Sequence, residues 1–271
     1  MVGEIKNRTG RLYSLSVIIV AMNEEDRIGR CLESVKEIAD EIIVLDSGST
    51  DRTIEIAKIY TDQVFETDWP GYGPQKQRAL EKASAEWVLS IDADEALSPE
   101  LFEEIREVLS GGVDAVGFKL PWAVTIFGKT LNYGRSARAP LRLFRRQGAR
   151  FSPAKVHEKI LLPKGKIKTL KGRLFHYTHR DFEHTLLKNA DYAWLGAKAR
   201  YAAGKKGWGL PGATFRAIWV FFQVYIIRGG FLDGAVGFLM AVIYSQVTFN
   251  KYAGLWSLYR QEKLDKVDKG L

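Results

Sequence analysis

The chain has 271 residues, a formal charge of +8 and a sequence pI near 9.4, with 46% hydrophobic and 27% charged residues. That ordinary globular balance suits one large α/β domain with an appendage, or two small domains, and the basic excess favours an anionic partner: nucleic acid, acidic lipid or a phosphorylated substrate. The sole cysteine, Cys31, excludes an intrachain disulfide and a cysteine-based zinc site, fits a reducing compartment, and reads as core filler on a helix.

Lys6, Arg8 and Arg11 precede an apolar run at 15–22, as in a short signal peptide, but Asn23-Glu24-Glu25-Asp26 follows at once with no small-residue cleavage pattern. Residues 15–21 are therefore expected to be the first buried strand. Helical periodicity follows over 25–38, a second strand over 41–46, and a turn with helix-capping residues at Ser47-Gly48-Ser49-Thr50-Asp51. A helix over 53–60, a short strand over 63–66, a helix over 75–83 and a strand over 87–91 complete the first half. Such alternation implies a mostly parallel sheet with helices on both faces. From 114 to 175 the pattern changes to strand-like pieces at 115–120 and 141–144, Gly/Pro punctuation, and the arginines Arg135, Arg138, Arg142, Arg145, Arg146 and Arg150. From Asp181 on it is helical: an amphipathic 182–201, then the very apolar 214–227 and 231–249, separated by Arg228-Gly229-Gly230. No stretch is apolar enough without interruption for a clear spanning helix; the nearest, 231–249, carries Asp233.

The most informative segment is Glu86-Trp87-Val88-Leu89-Ser90-Ile91-Asp92-Ala93-Asp94-Glu95, an apolar strand ending in carboxylates. Open α/β sheets bind ligands at the carboxyl ends of their strands. Asp92 and Asp94 are two apart and on a continuing strand would face the same way, two hard oxygen ligands suited to Mg²⁺ or Mn²⁺ bridging to a diphosphate. A solvated acidic turn is the plain alternative. The strand ends at Ala21-Met22-Asn23-Glu24 and at Asp46 add polar groups to the same rim, where an acid beside a glycine turn can accept hydrogen bonds from a ribose or base.

The ordered set of Ala-Met-Asn-Glu, Asp-Ser-Gly-Ser-Thr-Asp, a Lys/Gln-bearing helix start and Asp-Ala-Asp closely resembles the amino-terminal half of the family 2 inverting glycosyltransferases, strongly over residues 15–97. Gly71-Tyr72-Gly73-Pro74-Gln75-Lys76-Gln77, Val156-His157-Glu158 and Gly229-Gly230-Phe231-Leu232-Asp233-Gly234 resemble the bacterial lipopolysaccharide core β-1,4-glucosyltransferases. The resemblance implies a GT-A, Rossmann-like fold over 1–180, with a nucleotide-sugar half at 15–97 and an acceptor half at 98–180, followed by a helical, membrane-interface region at 181–271. It implies that Ala21, Met22 and Glu24 line the nucleotide with Asp46 opposite. Lys76 would lie near the base or diphosphate, Asp92 and Ala93 against the nucleotide sugar, and Asp94 on the metal. In several relatives a histidine completes the metal shell, a role open to His176, although a lone histidine is more often structural. Either Mn²⁺ or Mg²⁺ fits that set, with mixed His/Asp ligation favouring Mn²⁺.

Inverting transfer needs a base to take the acceptor hydroxyl's proton. Glu158 is the candidate, since it follows the arginine-rich segment and stands where the family commonly puts its base; a surface Glu-Lys pair is the alternative. His157 would orient Glu158 or bind acceptor. The arginine run would usually be a solvated face. Here Arg142 is expected to point into the site, toward a phosphorylated acceptor or the donor diphosphate. The aromatic helices with Lys198, Arg200, Lys205, Lys206, Arg216 and Arg228 nearby suit a membrane interface, the alternative being a buried helical pair. The expected protein is a peripheral or monotopic enzyme on the cytoplasmic face of the inner membrane, moving a hexose, glucose from UDP-glucose, to a lipid-linked glycan. A polyprenyl-phosphate acceptor is the first rival and a nucleotidyltransferase the second; the latter typically needs a glycine-rich basic loop, which 20–26 is not.

Overall fold

The computed structural model describes residues 12–111, 114–126, 128–134, 138–154, 158–178 and 181–268. They form two compact units, Met1–Ala123 with Arg138–Thr178, and Val124–Ala137 with His179–Leu271.

The first unit is built on a seven-stranded sheet. Its amino-terminal strands are β1 (Leu15–Ala21), β2 (Glu41–Asp46), β3 (Val64–Glu66) and β4 (Trp87–Asp92), which pair in parallel in the order β4-β1-β2-β3. They interleave with α1 (Ile28–Val35), α2 (Thr53–Ala57) and α3 (Tyr72–Lys82), and β5 (Glu95–Leu97) and α4 (Pro99–Leu109) follow. Alternate strand residues point to opposite faces. Val17, Ile19, Val44, Leu89 and Ile91 bury against α1, α2 and α4, while Ile18, Ile43, Leu45 and Val88 bury against α3. Covering both faces is what makes these strands continuous apolar runs.

The expected elements are present with shifted edges. Turn bonds from Arg27 N–H and Ile28 N–H to the Glu24 carbonyl delay α1 to Ile28, three residues later than its periodicity suggests. α4 is an element the periodicity reading misses. Its start is legible nonetheless: the Ser98 hydroxyl accepts from Leu101 N–H, Pro99 opens the first turn, and Glu100 complements the helix dipole.

The remaining strands are β6 (Gly117–Lys119), β7 (Trp122–Ile126), β8 (Lys129–Leu131), β9 (Leu141–Arg145), β10 (Arg150–Phe151), β11 (Ile160–Leu161), β12 (Ile167–Thr169) and β13 (Leu174–His176). β12, β6 and β9 extend the main sheet beyond β4. β9 runs antiparallel to both β4 and β6, the one reversed strand of the seven. Because it is reversed, its first residues, Leu141 and Arg142, lie at the rim where β4 ends.

The second unit contains the β7–β8 hairpin from Val124 on, α5 (Phe182–Ala202), α6 (Gly209–Phe222) and α7 (Gly234–Asp268). α6 continues as a π-helical turn, Gln223–Ile227, and a 3₁₀ turn, Gly230–Asp233, leads into α7. The Gly229–Gly234 motif is a structural joint. Asp233 is buried, and its carboxylate accepts the backbone N–H groups of Asn132 at 3.1 Å and Tyr133 at 3.0 Å. Gly229 and Gly234 have φ of 68° and 65°, and a Cβ on Gly237 would meet the Gly230 carbonyl oxygen at 2.0 Å.

Cys31 lies fully buried on α1, and burial, with Glu95 and Asp94 nearby, pushes its thiol well above the ordinary range. Because the thiolate is the reactive form, the folded protein should resist iodoacetamide at pH 8 and label only on unfolding in urea. Native-state labelling at the rate of a free thiol, followed by mass spectrometry, would contradict this burial.

Candidate active site

The rim begins with two loops bonded to each other. After β1, the N–H groups of Asn23, Glu24 and Glu25 donate to Ser49 Oγ, Thr53 Oγ1 and Asp51 Oδ2 at 2.8, 2.7 and 3.2 Å. In return, Thr50 N–H donates to Asn23 Oδ1 at 2.9 Å and Arg52 N–H to Glu25 Oε2 at 3.0 Å. Asn23 adopts φ of 55°, in the left-handed region that asparagine tolerates better than most residues. Asp46 is fully buried and accepts from Gly48 N–H, Ser49 N–H and the Ser49 hydroxyl, so it holds its own turn. Ala21, buried, is in register with Asp46 across β1 and β2, while Met22 is exposed above it.

The centre of the site is a chain of alternating charges at the end of β4. Lys76, on α3 and only 5% exposed, lies 2.8 Å from Asp92 Oδ1 and 2.8 Å from Glu158 Oε1. Arg142 pairs with Asp92 Oδ2 and, at 2.6 Å, with Glu95 Oε1. Glu95 is buried beneath them, accepting Asp92 N–H at 2.9 Å and Trp122 Nε1–H at 2.7 Å. Burial alone would raise the Asp92 carboxyl, but the Arg142 and Lys76 charges outweigh it and hold Asp92 well below the usual carboxylate range. Burial lowers Arg142, yet Asp92 and Glu95 outweigh that and raise it. Glu95 is itself raised, because its burial exceeds the help from Arg142 and Asp92 repels it.

Asp92 and Asp94 do not share one direction. The strand ends at Asp92 and the chain turns through Ala93 and Asp94 before β5 begins, so the alternation of a continuing strand does not apply. Asp94 instead faces His176, whose Nε2 is 3.3 Å from Asp94 Oδ2, with Arg27 at 3.8 Å. The pairing of β13 with β5 brings His176 there, setting it opposite Glu95. Burial would lower His176 and raise Asp94; their mutual hydrogen bond outweighs it, leaving His176 raised and Asp94 lowered. Arg27 also bonds Glu24 Oε2 at 2.6 Å and the Tyr177 carbonyl at 3.1 Å, linking the β1 loop to this corner.

Asp94 and His176 supply an oxygen and a nitrogen, and among the described residues no three His, Cys, Asp or Glu side chains converge on one metal position. His176 Nδ1 is buried without a hydrogen-bond partner, so no carboxylate or carbonyl among the described residues orients the ring from behind, as one usually does for a ligating histidine. Two donors fit a hard cation that takes most of its ligands from water and a bound diphosphate.

Ala21, Met22, Glu24, Asp46, Lys76, Asp92, Ala93, Asp94, Arg142, Glu158 and His176 all belong to the first unit. His157 and Arg135 lie outside the described residues. Arg142 is committed to two carboxylates, Arg145 stacks on Tyr13 and Trp87 at 4.9 Å, and Arg146 Nε donates to the Ala85 carbonyl, so much of the arginine run is bound inward. Glu95, Arg27 and Trp122 were not anticipated. Only Glu95 left a signal, as the fourth residue of Asp-Ala-Asp-Glu. A cavity of about 530 Å³, lined by Glu66, Thr67, Asp68, Arg78 and Lys82 among others, holds none of the anticipated residues.

Residues 16–166 match the Glycosyl transferase family 2 domain. The chain belongs to that family. It is a glycosyltransferase, and its resemblance to the lipopolysaccharide core enzymes extends to near-full-length relatives. The lipopolysaccharide core biosynthesis glycosyltransferase LpsC of Rhizobium meliloti is 32% identical over 95% of this chain and 97% of its own. An uncharacterized glycosyltransferase of Rickettsia typhi is 34% identical over 91% of this chain and 88% of its own. Among solved structures, glucosyl-3-phosphoglycerate synthase from Mycobacterium tuberculosis, in complex with Mg²⁺ and uridine diphosphate, is 32% identical over 41% of this chain and 44% of that one, with a TM-score of 0.33. TarS 1–349 of S. aureus in complex with UDP is 17% identical over 92% of each chain, with a TM-score of 0.48.

Glu95→Ala should leave Trp122 Nε1–H and Asp92 N–H without their acceptor and Arg142 with Asp92 alone. Breaking such a buried pair costs about 3–5 kcal/mol, which urea denaturation would read. A loss below about 1 kcal/mol, the range of an exposed pair, would mean the Arg142–Glu95 contact is not maintained.

Proposed function

We propose that this glycosyltransferase moves glucose from UDP-glucose, with inversion, to a lipid-linked glycan of the lipopolysaccharide inner-core type, at the cytoplasmic face of the inner membrane. The observation that carries the reading is Lys76, whose single ammonium touches both Asp92, on the nucleotide-sugar motif, and Glu158, the proposed base. The similarity to LpsC over nearly the whole chain supports the acceptor class.

In this reading Glu158 removes the acceptor hydroxyl's proton while that oxygen forms a bond to the anomeric carbon and the bond from that carbon to the diphosphate breaks. Lys76 and Arg142, each shared between Asp92 and a second carboxylate, hold Asp92 ionised and in place at the rim. Asp94 and His176 would hold Mn²⁺ or Mg²⁺, which when bound supplies further charge stabilisation to the departing diphosphate. A polyprenyl-phosphate acceptor draws less support, since Arg142 is already engaged by carboxylates.

The second unit supports membrane attachment. On α6 and its π-helical continuation, Phe215, Ile218, Trp219, Phe222 and Ile226 form an exposed stripe, while Gly212, Ala213, Ala217 and Val224 are buried. The buried face meets α7, where Ser245 Oγ donates to the Ala217 carbonyl at 2.8 Å. Small residues inward and large apolar residues outward is the arrangement of helices packed in lipid, and an exposed apolar face of this kind marks an interaction surface. By length and composition alone, the segments Gly209–Ile227 and Gly230–Lys266 could also cross a bilayer, and the Asp233 carried by the second has its carboxylate buried against backbone N–H groups.

The direct test is a hydrolysis screen of nucleotide sugars with Mn²⁺ and Mg²⁺: UDP-glucose should be cleaved slowly without acceptor, and a chelator should stop it. Turnover of a different nucleotide sugar would replace the donor. Glu158→Gln should bind UDP normally by calorimetry yet lose about 10²-fold or more in transfer rate; near-normal turnover would remove Glu158 as the base.

For the membrane reading, Trp219→Ser with Phe222→Ser should reduce co-sedimentation with anionic liposomes while the melting temperature holds. Salt should weaken binding of the intact chain without abolishing it. Lost stability with unchanged liposome binding would identify the stripe as protein core.

A further inference from the structure

We propose that Trp69 and Tyr72 form a stacking platform for a pyranose ring of the acceptor, a subsite beside the base. The proposal rests on the reading of Glu158 as that base. The two rings meet edge to face, with centroids 4.8 Å apart and planes at 88°, and remain 43% and 41% exposed. A single exposed aromatic needs no explanation. This pair is different because the backbone carrying it is pinned.

Ahead of the pair, Thr67 N–H donates to the Asp46 carbonyl at 2.9 Å, and the fully buried Gln75 donates to Thr67 Oγ1 and, at 3.1 Å, to Ser47 Oγ. Arg78 holds Asp68 Oδ1 at 2.7 Å. Between the rings, Pro70 restricts the backbone and Gly71 sits at φ of 114°, a conformation that favours glycine. Just after them, Gly73 N–H donates to the Ala154 carbonyl at 3.1 Å. A Cβ on Gly73 would lie 2.1 Å from the Ser152 carbonyl oxygen and 2.6 Å from that of Ala154, so only glycine permits the contact. The loop thus has little freedom to bury its aromatics, and presents them already ordered. Preorganised rings lose little entropy on binding, and the C–H-rich face of a pyranose suits the negative face of an aromatic ring.

The position assigns the ligand to the acceptor side. Tyr72 and Lys76 are four apart on α3 and so share a face, one turn from each other. Lys76 is 2.8 Å from Glu158, and the Gly73–Ala154 bond ties the platform to the segment that leads to Glu158. A sugar stacked here would lie on the helix face that also carries Lys76, whose ammonium contacts the carboxylate that takes the proton.

The test is saturation-transfer NMR and calorimetry on the full chain in detergent with UDP present. The probes are deacylated lipopolysaccharide core oligosaccharide and the methyl glycosides of glucose, galactose and heptose. At least one saccharide should bind through its C–H face, and Trp69→Ala or Tyr72→Ala should weaken it about tenfold, as the loss of one aromatic contact of about 1.4 kcal/mol predicts. Trp69→Phe and Tyr72→Phe should largely restore binding, and thermal melting of each variant separates lost stacking from lost fold. Equal binding by the alanine variants, restoration by neither phenylalanine variant, or no saccharide binding to the unaltered protein would overturn the platform. A loss falling on a parallel UDP titration would reassign the rings to the donor base and overturn it too. Failure of the Glu158→Gln prediction with intact saccharide stacking would instead reject the base and keep the platform.

Discussion

The site depends on how charge is balanced at the end of β4. Asp92, Glu95 and Glu158 converge there with Lys76 and Arg142, and all five are largely or partly withdrawn from water. Burial and like charge drive such carboxylates toward the protonated form; the interposed cations overcome this at Asp92, while Glu95 stays raised. Lys76 and Arg142 each touch two carboxylates, so removing either would leave two acids exposed to each other's field. Glu95 carries the arrangement into the core, because its carboxylate fixes Trp122 and the Asp92 backbone as well as Arg142.

Topology supplies the cations. Lys76 comes from α3, which covers one face of the sheet, and reaches the rim past β4. Arg142 comes from β9, the only strand of the seven that runs against the others. A parallel β9 would put its first residues at the opposite edge. The second corner of the site, Asp94 with His176 and Arg27, depends on another pairing, β5 with β13, which joins residues about eighty positions apart. Two strand pairings between distant segments thus separate the carboxylates, giving Asp92 to Lys76 and Arg142 and Asp94 to His176 and Arg27.

The second unit follows a different physical rule. In the catalytic unit large apolar side chains are inside and the rim is polar; on α6 glycine and alanine are inside and the aromatic side chains are out. Close packing of helix backbones over small residues needs no hydrophobic drive between the helices when lipid solvates the outer face. Asp233 secures the unit's own joint, where it ties the β7–β8 hairpin to the start of α7 through backbone N–H groups.

What the sequence determined was whatever is local in the chain. The bounds of β1 and β2, the ending of β4 in carboxylates and the family-like order of the rim motifs were all legible, because buried strands are written as short apolar runs and loops as capping residues. The start of α4 is written locally too, in the capping Ser98, Pro99 and Glu100. What only the tertiary structure decided was which charges meet. That Asp92 and Asp94 part company turns on where β4 stops, a backbone event that residue spacing does not encode. That Lys76 joins Glu158, eighty-two positions away, and that Arg142 meets Glu95 as well as Asp92, depends on strand order and strand direction. A charge run reads the same in sequence whether its side chains face water, a ligand or one another, and only the pairing of distant strands settles the difference.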